Sequence, residues 1–195
     1  ILPCFILVPS LMFANNLNDH NRSYRYTAHN FASSILNSCE ENAILFVNGD
    51  NDTFPLWYCQ EVEGIRTDVR VINLQLLNNP DYIEKLTHKV YKSDPITLLA
   101  NKETYNSNER NICFINPSNK IIELKTALKE LYNNNNSILL QNNKFFAFPS
   151  NKLFIQIDST RRIDISLENS EFTKSTMIAY DIIANNISKR PIYFS

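Results

Sequence analysis

The sequence predicts an α/β domain: a Rossmann-like parallel sheet with flanking helices and a β-hairpin insertion, preceded by the end of a transmembrane helix. Three observations carry this expectation. Ala43-Ile44-Leu45-Phe46-Val47 is an unbroken apolar run, the mark of a strand buried on both faces. A helical stretch and a second strand, Val69-Arg70-Val71-Ile72-Asn73-Leu74, follow at the spacing of a βαβ unit, whose strands pair in parallel. Ahead of them, Ile1 to Ala14 is almost wholly apolar and no charge appears until Asp19.

The apolar start is shorter than the roughly 17–25 residues that span a bilayer, and no basic segment precedes it as a secretory signal would require. It reads either as a buried core segment or as the last part of a membrane helix. Pro3 and Pro9 favour the second, because neighbouring helices in a membrane re-satisfy the backbone groups that proline frees. The expected division is therefore residues 1–17 as the end of a transmembrane helix and 18–195 as an extramembrane α/β domain, incomplete at its C-terminus. Ser195 follows a strand-like Ile192-Tyr193-Phe194 with no polar tail, which fits a piece of a longer polypeptide.

Beyond a lead-in loop, Tyr24, Ala28, Phe31, Ala32, Ile35 and Leu36 recur at three and four, a helix that Ser23 can cap. After the first strand, Asn48 to Thr53 reads as a loop and Phe54 to Glu63 as a helix. Gly64, in a chain with only 2 glycines, marks that helix's left-handed exit. Asn79-Pro80 is a cap followed by proline at the first helical position, opening a helix to about Tyr91. From Ser93 to Lys120 the one clear signal is a strand at Ile112–Ile115. Glu123 to Tyr132 forms a helix on Leu124, Leu128 and Leu131, and Asn133–Asn136 a loop. Phe145–Phe148 and Leu153–Ile157 flank Pro149-Ser150-Asn151-Lys152 and predict a hairpin. Arg162 to Leu167 alternates as a half-buried strand. Thr173 to Asn185 is a helix with Met177, Ile178, Ile182 and Ile183 inward, and a last strand follows Lys189-Arg190.

Composition excludes several classes of function. With 19 basic and 20 acidic side chains the net charge is -1, which is no electrostatic footprint for nucleic acid. At 44% hydrophobic the chain can bury a core and is not disordered. Its 4 cysteines are too few for a disulfide scaffold. Two glycines permit no Walker loop, dinucleotide fingerprint or nucleophile elbow. His20, His29 and His88 sit at no metal-ligand spacing, and Cys39, Cys59 and Cys113 form no C-x-x-C pair, so spacing shows no zinc site.

Two clusters remain. Asp50 and Asp52 stand at the carboxyl end of a buried strand, where open α/β sheets gather ligands, and could hold a divalent cation. The alternative is that Asp52 or Thr53 caps the next helix while Asp50 satisfies loop amides. No other metal and no further cofactor is expected. His20, Arg22 and Arg25, with Asp19 and Tyr26, lie just past the apolar segment, where arginines could bind the phosphate of a lipid headgroup or a lipid-linked sugar. The alternative there is a solvated helix start. Gln60, Glu61, Glu63, Arg66, Asp68 and Arg70 read as a mixed-charge surface face.

The run from Ala43 through Asn48-Gly49-Asp50-Asn51-Asp52-Thr53-Phe54-Pro55-Leu56-Trp57-Tyr58 to Gly64-Ile65-Arg66-Thr67-Asp68-Val69-Arg70-Val71 resembles a family of large bacterial polytopic membrane proteins of unassigned function, related to protein O-mannosyltransferases. Asp19-His20-x-Arg22-Ser23-x-Arg25-Tyr26, Asn73-Leu74-x-Leu76-Leu77-Asn78 and Arg190-Pro191-Ile192-Tyr193-Phe194 extend the resemblance over nearly the whole chain. Tyr24 and Pro80-Asp81 depart from the pattern. The resemblance implies a membrane portion upstream, shaped like transferases that use lipid-linked sugars and holding the catalytic acid. The present chain would be an extracytoplasmic, periplasmic domain, not catalytic alone, that assists binding of the acceptor or the lipid-phosphate sugar. Its partners would be membrane lipid or a lipid-linked sugar, and no nucleic acid. The rival expectation is a non-enzymatic module docking proteins of the cell envelope. A third is a free-standing metal-dependent hydrolase or transferase centred on Asp50 and Asp52.

Overall fold

The computed structural model describes residues 2–107, 110–118, 120–133, 137–140 and 143–195. It is a mixed α/β structure with three small sheets and seven α-helices among the described residues. Helix α1 (Leu2–His20) leads into α2 (Thr27–Ser38), β1 (Ile44–Val47), α3 (Asp50–Glu61) and β2 (Arg70–Asn73). A 3-10 turn (Gln75–Asn78), α4 (Pro80–Leu86) and α5 (Lys102–Asn106) follow. Next come β3 (Ile112–Ile115), β4 (Ile121–Glu123), α6 (Leu124–Tyr132), β5 (Ser137–Leu140) and β6 (Asn143–Phe148). The chain then forms β7 (Lys152–Gln156), β8 (Arg162–Ser166), β9 (Glu171–Thr173), α7 (Lys174–Asn186) and β10 (Ile192–Phe194).

The first sheet has the order β10-β1-β2 and both its pairings are parallel. The β1–α3–β2 unit expected from the sequence is therefore present. All four residues of β1 are buried because both faces are covered. Leu45, Val47 and Val71 pack toward α2 and α3, with Ala32, Leu36, Leu56 and Cys59. Ile44, Phe46 and Ile72 point the other way, into a larger core shared with α4, α6 and α7. Period-two alternation thus splits one apolar run between two cores.

Charged motif residues fasten this sheet. Arg190 is 6% exposed and donates to the carbonyls of Asn42 (2.6 Å), Ala43 (3.3 Å) and Asp94 (2.9 Å), tying the start of β10 to that of β1. Arg70 is equally buried and donates to the carbonyls of His88 and Asp94. Burial lowers the Arg70 guanidinium to about 10, helped by neighbouring Arg190. Arg66 closes the C-terminal end of α2 through the carbonyls of Leu36, Cys39 and Glu40, and Asp68 grips it by two hydrogen bonds of 2.9 Å. Gln60 donates to the carbonyls of Arg66 and Val69, both at 2.8 Å. Of the stretch expected to be a mixed-charge surface face, Gln60, Arg66, Asp68 and Arg70 form an internal clamp, while Glu61 and Glu63 are exposed as expected. The Arg66 and Arg70 guanidiniums supply donors to helix-end and loop carbonyls that have no partner within their own helix or strand.

The other sheets are mixed. In β5-β6-β3-β9 only β3 and β6 run parallel, and in β4-β7-β8 only β4 and β7 do. The hairpin expected across Pro149–Lys152 does not form, because β6 and β7 belong to different sheets. Hairpin pairing occurs instead between β5 and β6 and between β7 and β8. Ser150, fully buried, donates to the Lys120 carbonyl (2.7 Å) and holds the chain where it leaves one sheet for the other. Strand β8 is more exposed than its alternation suggested, with Ile163 at 44%.

Most helices fall where the periodicity puts them. Leu124, Leu128 and Leu131 of α6 are fully buried, about 2–3 kcal/mol of apolar transfer each. In α7, Met177, Ile178 and Ile182 are buried and Ile183 half-buried. The α4 cap is the expected one, with Asn79 accepting from the Asp81 amide (2.9 Å), but the helix stops at Leu86 instead of Tyr91. There the Thr87 hydroxyl bonds the Glu84 carbonyl, and Tyr91 takes a positive φ of 51°. The short α5 lay in a stretch without sequence signal. Of the Asn133–Asn136 loop, residues 134–136 lie outside the described residues, as does Ile1.

Two corrections concern the approach to β1 and α3. Ser23 does not cap α2; it bonds Asn21, and Tyr24 and Phe31 are 66% and 57% exposed. Helix α3 begins at Asp50, four residues earlier than expected, with Gly49 at the N-cap position. Gly49 has φ 93° and ψ 168°, a region open essentially to glycine alone. Gly64, just past the helix, has the expected left-handed φ of 69°.

Candidate functional site

Helix α1 presents apolar side chains outward from Phe5 to Leu17 and contributes to neither hydrophobic core of the described residues. No helix among the described residues is long and apolar enough to cross a membrane. Where α1 ends, a turn closed by the Arg25 amide on the Arg22 carbonyl (3.0 Å) reverses the chain into α2.

That turn, α2 and α3 enclose a cleft of about 650 Å³. Arg22, Arg25 and Tyr26 come from the turn, His29 from α2, and Phe54 and Tyr58 from α3, while Glu63 sits just beyond α3. Among the described residues neither arginine pairs with a carboxylate, and the one carboxylate that lines the cleft, Glu63, is taken up by His29. Phe54, Tyr58 and Val62 are more than half or half exposed at a spacing of four, an aromatic and apolar stripe along one face of α3. Apolar walls with a few convergent cations suit an amphipathic ligand bearing an anionic group.

The floor of the cleft holds a tighter cluster. His29 Nε2 lies 2.8 Å from Glu63 Oε2, and His29 Nδ1 lies 3.0 Å from Asn30 Oδ1. Those hydrogen bonds, to Asn30 first and then Glu63, raise the imidazole above its usual value. Cys59 is fully buried behind the pair, its Sγ 4.0 Å from the His29 carbonyl oxygen, and burial pushes its thiol up. One ligand atom from each of His29, Cys59 and Glu63 lies within 4.8 Å of the others. Linear spacing conceals this cluster, because His29 stands 30 positions before Cys59 and meets it only through the packing of α2 on α3. The one local trace is Cys59 and Glu63 at i and i+4.

The other sequence candidates are dispersed. Asp50 and Asp52 occupy the first turn of α3, at the carboxyl end of β1 as expected, but neither lines the cleft. Neither caps the helix, and Thr53 instead donates back to the Gly49 carbonyl (2.6 Å) and accepts from Asn73 (2.9 Å). Both carboxylates sit at the positive end of the α3 dipole. His20 bonds the Asn16 carbonyl on α1 (3.0 Å) and stands outside the cleft lining. A smaller cavity, about 230 Å³, lies on the far side of α3 beside Arg70 and Tyr82. Its guanidinium is already spent on backbone carbonyls.

The molecule is thus an α/β domain with a cationic, aromatic cleft at the foot of an exposed apolar helix. Residues 28–195 match the family described as TMEM260-associated domain 2, and the chain belongs to that family. Membership puts the domain in a membrane-protein context. No curated protein and no solved structure matches the chain.

Proposed function

We propose that this is the extramembrane domain of a polytopic membrane protein resembling the protein O-mannosyltransferase-type glycosyltransferases. On this reading it faces the extracytoplasmic side and helps bind the acceptor or a lipid-phosphate sugar, and it is not catalytic alone. The observation that carries the reading is the pair of unpaired cations, Arg22 and Arg25, lining an aromatic cleft directly after an exposed apolar helix. A lipid-phosphate sugar has the matching parts: an apolar tail, a phosphate and a sugar able to stack on aromatic faces. Helix α1 would carry the apolar character of the bilayer to the edge of the cleft, with Tyr24 and Tyr26 as interfacial anchors. The parallel β10-β1-β2 sheet, which joins the chain's first two strands to its last, supports a Rossmann-like description of this layer.

Flotation with vesicles carrying a polyprenyl-phosphate sugar, compared with neutral vesicles, tests this function. The wild-type chain should favour the first. Replacing Arg22 and Arg25 together by Ala should weaken that preference about ten-fold or more, each surface arginine contributing roughly 1 kcal/mol. Equal binding to both vesicle types would overturn the reading. It would turn attention to the second one, a protein-docking module of the cell envelope, which the exposed Phe54–Tyr58–Val62 stripe favours.

A further inference from the structure

We propose that His29, Cys59 and Glu63 form a metal site for zinc, or a similar divalent ion that accepts thiolate, on the floor of the cleft. Imidazole, thiolate and carboxylate are all zinc ligands, and three protein ligands with one open position is the pattern of a reactive rather than a purely structural site. Zinc held at about 2.0–2.3 Å from each ligand needs ligand atoms roughly 3.3–3.8 Å apart. The three atoms already lie within 4.8 Å of one another, so side-chain rotations of an ångström or so bring them to that geometry.

The surroundings are also those of a ligand set. Asn30 Oδ1, 3.0 Å from His29 Nδ1, can accept a hydrogen bond from Nδ1–H and fix the ring, so that Nε2, 2.8 Å from Glu63 Oε2, is the nitrogen that releases its proton to solvent when the metal takes its place. Cys59 comes from the last turn of α3 and Glu63 from the turn just beyond it, while His29 closes from α2. His29 and Glu63 line the cleft and Cys59 is buried behind them, so the open coordination position lies on the cleft side. On binding, the Cys59 thiol releases its proton to solvent and its sulfur becomes the metal-bound thiolate. The site does not include Asp50 or Asp52, and it stands whether or not the cleft takes a phosphate.

The test uses the full chain, stripped with a chelator and titrated with Zn²⁺ by calorimetry and with Co²⁺ by absorption. One ion should bind per chain, and cobalt should show a near-ultraviolet thiolate charge-transfer band. Cys59→Ser should abolish the band, whereas Cys4→Ser, at an exposed cysteine on α1, should keep it. His29→Asn and Glu63→Gln should each weaken zinc at least about ten-fold with the circular dichroism spectrum unchanged, and Asn30→Ala by about the same factor. If Cys59→Ser fails to fold, His29→Asn and Glu63→Gln, at partly exposed side chains, decide the matter. Absence of the band in the wild type, its survival in Cys59→Ser, or zinc binding lost only on Asp50→Asn and Asp52→Asn would each overturn the proposal.

Discussion

Asp68 shows how far a single side chain shapes the approach to the cleft. Its carboxylate orients the Arg66 guanidinium and accepts the Asn42 amide (3.0 Å), and Arg66 in turn closes the end of α2, the helix that carries His29. The Arg66 hydrogen bond is the main cause that lowers this carboxyl to about 2, with the Asn42 amide adding to it. A carboxyl whose folded value lies below its unfolded value of about 3.9 contributes stability above that value and loses it as pH falls toward the folded one. Asp68→Asn should therefore cost roughly 1–2 kcal/mol at neutral pH and flatten the loss of stability between about pH 4 and pH 2. Urea denaturation across that range checks it. The sequence marks Arg66 and Asp68 only as charges; their burial against carbonyls depends on where α2 ends, which no local pattern states.

Among elements, α7 is held by more than its apolar face. Asp181, fully buried, accepts from the amides of Leu99 (2.9 Å) and Ala100 (2.8 Å), the Tyr132 hydroxyl (2.9 Å) and Asn185 Nδ2 (2.7 Å). One carboxylate thus joins α7, α6 and the segment before α5, and its removal orphans several buried donors. Asp181→Ala should destabilise by about 3 kcal/mol, seen as a lowered urea midpoint with an unchanged slope. Elements with a strong local period, such as α6 and α7, are legible in sequence because one apolar face dictates their position. Pairing across Pro149–Lys152 is not legible in the same way. The turn chemistry suits a hairpin, yet β6 finds its neighbours in β3 and β5, and the buried Ser150 bond to Lys120 commits the chain to a second sheet. Strand choice rests on contacts far apart in sequence, which local turn residues do not report.

On the scale of the whole molecule, α1 stands apart: its apolar side chains are exposed, whereas the remaining elements bury two cores. A chain shortened to residues 18–195 should keep its melting temperature within about 2 °C, because no buried apolar contact is lost. It should also lose most of its partition onto neutral lipid vesicles. A scan of thermal unfolding paired with flotation separates these outcomes. By itself the sequence determined the α/β class, the β1–α3–β2 unit, the main helices and the cationic turn at Arg22 and Arg25. These are announced by local signals: apolar period, caps, glycine where the backbone turns left-handed, and the strand–helix–strand spacing that dictates parallel pairing. Tertiary structure alone decided the three-sheet arrangement, the conversion of Arg66, Arg70 and Arg190 into internal clamps, and the meeting of His29 with Cys59 and Glu63. Those depend on which faces pack together, and packing joins residues that the linear order keeps from 18 to 148 positions apart.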